Sequence, residues 1–131
     1  MILQISPQRR RRTAFTLMEL MVVVALLVIL AGVGGFYFMK QLENGKKKTA
    51  KAQTKTIAEA AQMYYTDHQQ FPATLQVLTV RDDQGGPYIE PSAIITPWQT
   101  PYGYDPSGAH NQGLKPDVWA QAPDGTQIGN W

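Results

Sequence analysis

The sequence predicts an α+β chain in which a long N-terminal helix packs on a small antiparallel β-sheet with loops. Three observations predict it. Residues 20–39 carry no charge at all. Residues 40–70 keep apolar side chains at helical spacing. After Pro72, glycine and proline recur between short apolar stretches.

The first element is the apolar run. Twenty uncharged residues match the roughly 20 needed to cross a bilayer core. Arg9, Arg10, Arg11 and Arg12 stand just before it. The positive-inside rule then puts residues 1–12 in the cytoplasm and everything after Lys40 across the membrane. The run exceeds the apolar region of about 7–15 residues found in a cleaved secretory signal. The whole chain has 131 residues, 12 basic and 10 acidic. With the four arginines set aside, 8 basic residues face 10 acidic ones, so the folded part has no polyelectrolyte character. There is no cysteine, which excludes disulfides, iron–sulfur ligation and lipoprotein acylation.

The second element is an amphipathic helix. Ala50, Ile57, Ala61, Tyr64 and Tyr65 recur at spacings of three, four and seven, the mark of a narrow apolar stripe. Lys46, Lys47, Lys48, Lys51 and Lys55 read as a solvated face near outer headgroups. Nucleic-acid binding is not expected, because no aromatic platform is interleaved with them. Gly45 is the weak point of the stretch. Phe71-Pro72 is the expected stop, since the residue before proline is pushed out of helical geometry. If both segments join, one helix covers residues 15–70. Gly32, Gly34 and Gly35 lie in its membrane part and mark either a place where the helix loosens or close packing on a neighbouring helix.

The third element is less regular. Residues 73–80 read as a short helix or turn carrying Leu75, Val77 and Leu78. Tyr88-Ile89, residues 102–104 and Val118-Trp119 read as two or three short antiparallel strands. A sheet that small needs the helix against one face to be stable.

One residue in the apolar run stands out. Glu19 places a carboxylate one turn into the helix. An ionisable group at a span's centre costs about 2.5–3.5 kcal/mol on insertion scales. Near the end the cost falls, and the helix dipole favours a first-turn carboxylate. By physics alone Glu19 is equally a side chain that reaches the interface.

Phe15-Thr16-Leu17-Met18-Glu19, behind the arginines and ahead of the apolar run, resembles the cleavage-and-assembly signature of type IV pilins and pseudopilins. The resemblance implies a type IV pilin-like fold and a prepilin peptidase that cuts between Ala14 and Phe15. It implies N-methylation of Phe15 and an assembly role for Glu19, the fifth residue of the cut chain. Alanine stands at position 14 where the family usually has glycine. In a filament core that excludes water, Glu19 would pair with the new amine of a neighbouring subunit, because a buried charge is tolerated only when partnered. The chain then divides into a basic leader (1–14), a transmembrane and assembly helix (15–39), an amphipathic helix (40–71) and a small α+β region packed on that helix (72–131).

Residues 63–72 (Met-Tyr-Tyr-Thr-Asp-His-Gln-Gln-Phe-Pro), Pro87-Tyr88-Ile89, Pro97-Trp98-Gln99-Thr100-Pro101-Tyr102 and the closing Ile128-Gly129-Asn130-Trp131 are similar to the major pseudopilins, the G proteins of type II secretion. That resemblance implies a subunit that polymerises into a periplasmic pseudopilus and drives export across the outer membrane. Its partners would be further copies of itself, the prepilin peptidase, the inner-membrane secretion platform and the minor pseudopilins. The protein would be a single-pass inner-membrane protein with its C-terminal domain in the periplasm. A type IV pilin for motility, adhesion or DNA uptake is the alternative. A generic single-pass protein with a partner-binding outer domain is a third.

G-type pseudopilins commonly bind calcium in a loop before the closing motif. Here Asp124 is the single carboxylate between Trp119 and Gln127. Calcium takes six to eight oxygen ligands, so Asp124 is a weak calcium candidate and no cofactor is expected. No enzyme is expected either. His68 and His110 are the only histidines and have no metal-ligand spacing. His68 reads as a residue at the surface or core edge. Asp82-Asp83 reads as an exposed acidic loop, since no nucleophile or base accompanies it.

Overall fold

The computed structural model describes residues 14–131; the arginine block and all but the last residue of the leader lie outside the described residues. Contacts divide the chain after Met39, and Lys40–Trp131 forms its own unit. Helix α1, Leu17–His68, contributes to both.

In the first unit every large apolar side chain between residues 15 and 39 is exposed, from Phe15 at 87% to Val23 at 49%. Leu, Val, Met and Phe on all sides leave no polar face for water, and such a helix belongs in lipid or among like helices. Among the described residues, α1 is the helix long and apolar enough to cross a membrane. The helix runs unbroken through Gly32, Gly34 and Gly35, and through Gly45 in the second unit. A side chain added at any of these four would meet nothing in the chain itself. No contact within the chain therefore requires a glycine there.

In the second unit α1 buries one stripe: Ala50, Thr54, Ile57, Ala58, Ala61 and Tyr64, with Ala60 beside it. The alanines let the backbone approach its neighbours closely. Thr54 is fully buried because its hydroxyl donates to the Lys51 carbonyl (2.8 Å), so its polar atom is satisfied within the helix. Tyr65, expected on this stripe, is exposed and packs beside Phe71. The helix ends at His68, earlier than the proline predicts. Gln69 adopts a left-handed conformation (φ 58°) and donates its N–H to the Tyr65 carbonyl at 2.8 Å, which closes the last turn before Phe71-Pro72 is reached.

The stripe packs on Leu75, Leu78, Tyr102, Val118 and Ala120. Residues 73–80 resolve into a 3-10 helix, Leu75–Thr79, with Leu75 and Leu78 inward. A second 3-10 helix, Pro91–Ile94, follows. The sheet is a three-stranded antiparallel meander of β1 (Gly103–Asp105), β2 (Asp117–Gln121) and β3 (Gln127–Gly129), with β2 central. Val118 and Ala120 point to the core at 0% exposure. Trp119 lies on the other face, opposite Gly103 on one side and Gly129 on the other. A Cβ at Gly103 would collide with the Trp119 indole, so the glycine is what admits the ring.

Tyr88-Ile89 is not a strand, against expectation. Both N–H groups donate to the single carbonyl of Leu78 (2.9 and 3.2 Å), so the segment is tied to the first 3-10 helix instead of to the sheet. The third strand is β3, a segment of weak strand character that pairs because β2 offers it a free edge. Side-chain bonds fasten the loops in this unit. Trp98 Nε1 donates to Glu43 (2.7 Å), Tyr102 Oη to Gln53 (2.5 Å) and Tyr104 Oη to the Pro72 carbonyl (2.7 Å). Burial pushes the Tyr102 hydroxyl up to about 12.

Candidate functional site

The residues singled out at the N-terminus fall within one short stretch. Ala14, Phe15 and Thr16 are exposed and precede the helix, and Leu17 begins it. The Ala14–Phe15 bond therefore lies in non-helical, accessible chain, the form in which a peptidase can take it. Thr16 is the helix N-cap. Its Oγ1 accepts the Glu19 N–H at 3.2 Å, and the Glu19 carboxylate accepts the Thr16 N–H at 3.2 Å. This reciprocal pair is a capping box, Thr-x-x-Glu, and it satisfies two otherwise orphaned donors. The spacing was visible in the sequence and gives Glu19 a local role besides its place near the dipole. Glu19 is also the one carboxylate between residues 14 and 39. Beside it, Phe15, Met18, Val22 and Val23 line an open apolar recess.

The turn between β2 and β3 holds Asp124. One of its oxygens is paired with the Lys47 ammonium from α1 and the other accepts the Thr126 N–H at 3.0 Å. The Lys47 ammonium first, then Thr126, hold this carboxyl well below the usual carboxylate range. The nearest carboxylate in the same hairpin is Asp117, 1% exposed, and it is fully engaged. Its Oδ2 accepts the His110 N–H (2.8 Å) and faces His110 Nδ1 (2.9 Å), while its Oδ1 accepts from Asn111 (2.6 Å). Burial alone would raise the Asp117 carboxyl, but the His110 backbone, the His110 ring and the Asn111 amide together hold it low. A donor set with both carboxylates already satisfied by N–H and ammonium groups does not fit calcium. Among the described residues no three or more acidic, histidine or cysteine side chains are grouped so as to hold a metal ion.

The lysines differ from the expected solvated row. Lys47 is engaged as above, and Lys51 donates to the main-chain oxygens of Gly129 (2.5 Å) and Trp131 (3.0 Å). Both partners lie about 80 residues away in sequence, which is why spacing gave no sign of them. His68 lies at the core edge, stacked on Tyr64 at 3.8 Å, with Nδ1 on the Tyr64 carbonyl (3.0 Å) and Nε2 on Asp82 (2.8 Å). Asp82 is exposed, as expected of its loop, and it accepts the Gln84 and Gly85 N–H groups (2.9 Å each). The Gln84 N–H leads the effects that lower its carboxyl. Asp67 accepts from Tyr88 Oη at 2.6 Å. These are the contacts of loop anchors.

A lipid-compatible helix that opens on a Thr-x-x-Glu cap and continues onto a three-stranded sheet defines the pilin-like α+β class. Residues 37–130 match the family model described as type II secretion system (T2SS), protein G. Residues 9–35 match the prokaryotic N-terminal methylation motif. The chain is 33% identical to the type II secretion system core protein G of Pseudomonas aeruginosa, over 95% of this chain and 98% of that protein. Proteins of the same description from Aeromonas hydrophila (30% identical, covering 95% of each chain) and Dickeya chrysanthemi (31%, covering 93% of this chain and 88% of that one) are similar over the same span. The chain belongs to the type II secretion system protein G family, the major pseudopilins. This supports the secretion reading over the type IV pilin one.

Proposed function

We propose that this chain is cut between Ala14 and Phe15 by a prepilin peptidase and methylated on the Phe15 amine. It then polymerises into a periplasmic pseudopilus that drives protein export across the outer membrane. Before assembly it sits in the inner membrane as a single-pass protein with residues 40–131 in the periplasm. Its partners are other copies of itself, the minor pseudopilins and the inner-membrane platform. It works as a structural subunit without an enzymatic step, without nucleic acid and without a cofactor.

The observation that carries this reading is Glu19, the lone carboxylate of an otherwise apolar, wholly exposed helical segment. Cutting before Phe15 creates a positive amine just ahead of a helix N-terminus that is itself positive. Glu19 of the same chain is committed to the Thr16 N–H through one oxygen and keeps lone pairs on both. In a bundle that excludes water, the amine of an adjacent subunit supplies the partner that a buried carboxylate requires. The pair fixes axial register, and apolar packing supplies most of the attraction. The non-enzymatic reading is supported by the commitments of both histidines: His68 to Tyr64 and Asp82, His110 to Asp117.

The test is Glu19→Val in the secreting cell. Membrane insertion and leader removal should persist, while filaments and secretion are lost. Normal filament yield from the variant defeats the assembly role. N-terminal sequencing and mass of the membrane-extracted protein test the cut separately, with methylated Phe15 as the expected first residue.

A further inference from the structure

Lys47 and Lys51 are four residues apart on α1, so their side chains share a face. Like charges at that spacing destabilise a helix. They are tolerated where each ammonium finds its own oxygen, and here each does. Lys47 reaches Asp124 in the β2–β3 turn. Lys51 reaches the oxygens of Gly129, the last residue of β3, and of Trp131, two residues further on. One lysine thus holds the tip of the terminal hairpin and the other holds its exit. Both are partly shielded from solvent, whereas Lys48 and Lys55 are exposed.

We propose that this two-lysine clasp ties the C-terminal hairpin to the helix, with tethered ammonium groups in the place that a bound divalent cation or a disulfide takes in other small exported domains. Three features agree. The chain has no cysteine. The turn's one carboxylate spends its oxygens on Lys47 and on the Thr126 N–H. The hairpin's exit presents main-chain oxygens, good acceptors for an ammonium that donates three hydrogen bonds. Both lysines belong to the chain itself, so the hairpin closes without a metal supply. Screening by salt is the corresponding weakness, because the Lys47 pair is partly open to water.

Hydrogen exchange on the full chain, extracted as monomer in detergent, tests the clasp independently of filament assembly. Lys47→Gln and Lys51→Gln should each quicken exchange across residues 117–131 severalfold, and Lys48→Gln should leave it unchanged. Raising the salt concentration should quicken the same amides in the unaltered protein. Calcium and a chelator should give the same exchange pattern. The proposal is overturned if calcium slows exchange in the hairpin, or if Lys47→Gln and Lys51→Gln leave it unchanged. A merely solvated lysine row predicts that second result, since neutralising one lysine would then only relieve repulsion along the helix.

Discussion

Residues 15–39 and the unit Lys40–Trp131 treat their apolar side chains in opposite ways. In the first, Phe15 and the large apolar side chains of residues 17–39 are exposed. In the second, Ile57, Leu78 and Val118 are fully enclosed by it. The same helix, α1, contributes to both. The difference teaches that one helix can take its stability from two solvents. Its first part exposes apolar side chains suited to lipid or to like helices, and its second part packs into a core that the chain supplies. The proposed move from membrane to filament needs the first kind of surface. A domain that stays folded during that move needs the second.

The contrast breaks most sharply at matched substitutions. Ile57→Ala removes a fully buried side chain and should cost about 2–5 kcal/mol in the second unit. Leu27→Ala, at a residue 60% exposed, should leave chemical unfolding of that unit unaltered while lowering filament yield. Denaturation of the detergent-extracted monomer, monitored by tryptophan fluorescence, reads the first effect. Equal losses at the two positions would erase the distinction between the units.

A smaller effect is expected where the second unit closes through polar atoms. Asn130 Oδ1 accepts the Val118 N–H (3.1 Å) and its Nδ2 donates to the Pro116 carbonyl (2.9 Å), all buried. Asn130→Ala orphans both backbone groups and should cost about 1–3 kcal/mol by the same denaturation assay. Acid should act on the same network. The Asp117 carboxyl lies below its unfolded value of about 3.9 in the folded chain. Its contribution is therefore present above that value and is lost as pH falls through the lower, folded one. Melting temperature should drop on acidification into that window, and Asp117→Asn should flatten the drop. An unchanged slope in Asp117→Asn would assign acid sensitivity to other carboxylates, Asp82 and Asp124 first, since both are also held low.

Much of the fold was legible from composition and spacing. The uncharged run, the stripe from Ala50 through Ile57 and Ala61 to Tyr64, and the strands around Gly103 and Val118 all rest on local pattern. The N-terminal methylation motif was legible too, because its residues lie together in one local stretch. Where expectation and structure part, a distant partner is involved. Tyr88 and Ile89 look like strand residues, but the Leu78 carbonyl takes both of their N–H groups. Gln127 and Ile128 are not among the expected strands, but β2 gives them an edge to pair with. Lys47 and Lys51 look like a solvated face, but the hairpin returns to them across most of the folded unit.

The sequence by itself determined which stretch is apolar enough to enter lipid, where the one carboxylate of that stretch sits and which helix face is buried. Those properties follow from hydrophobicity and from the fixed rise and turn of a helix. Only the tertiary structure decided that Asp124 meets an ammonium and that the Trp119 indole lies over Gly103. Those contacts join residues far apart in sequence, and they form only once the core has brought the strands and the helix together.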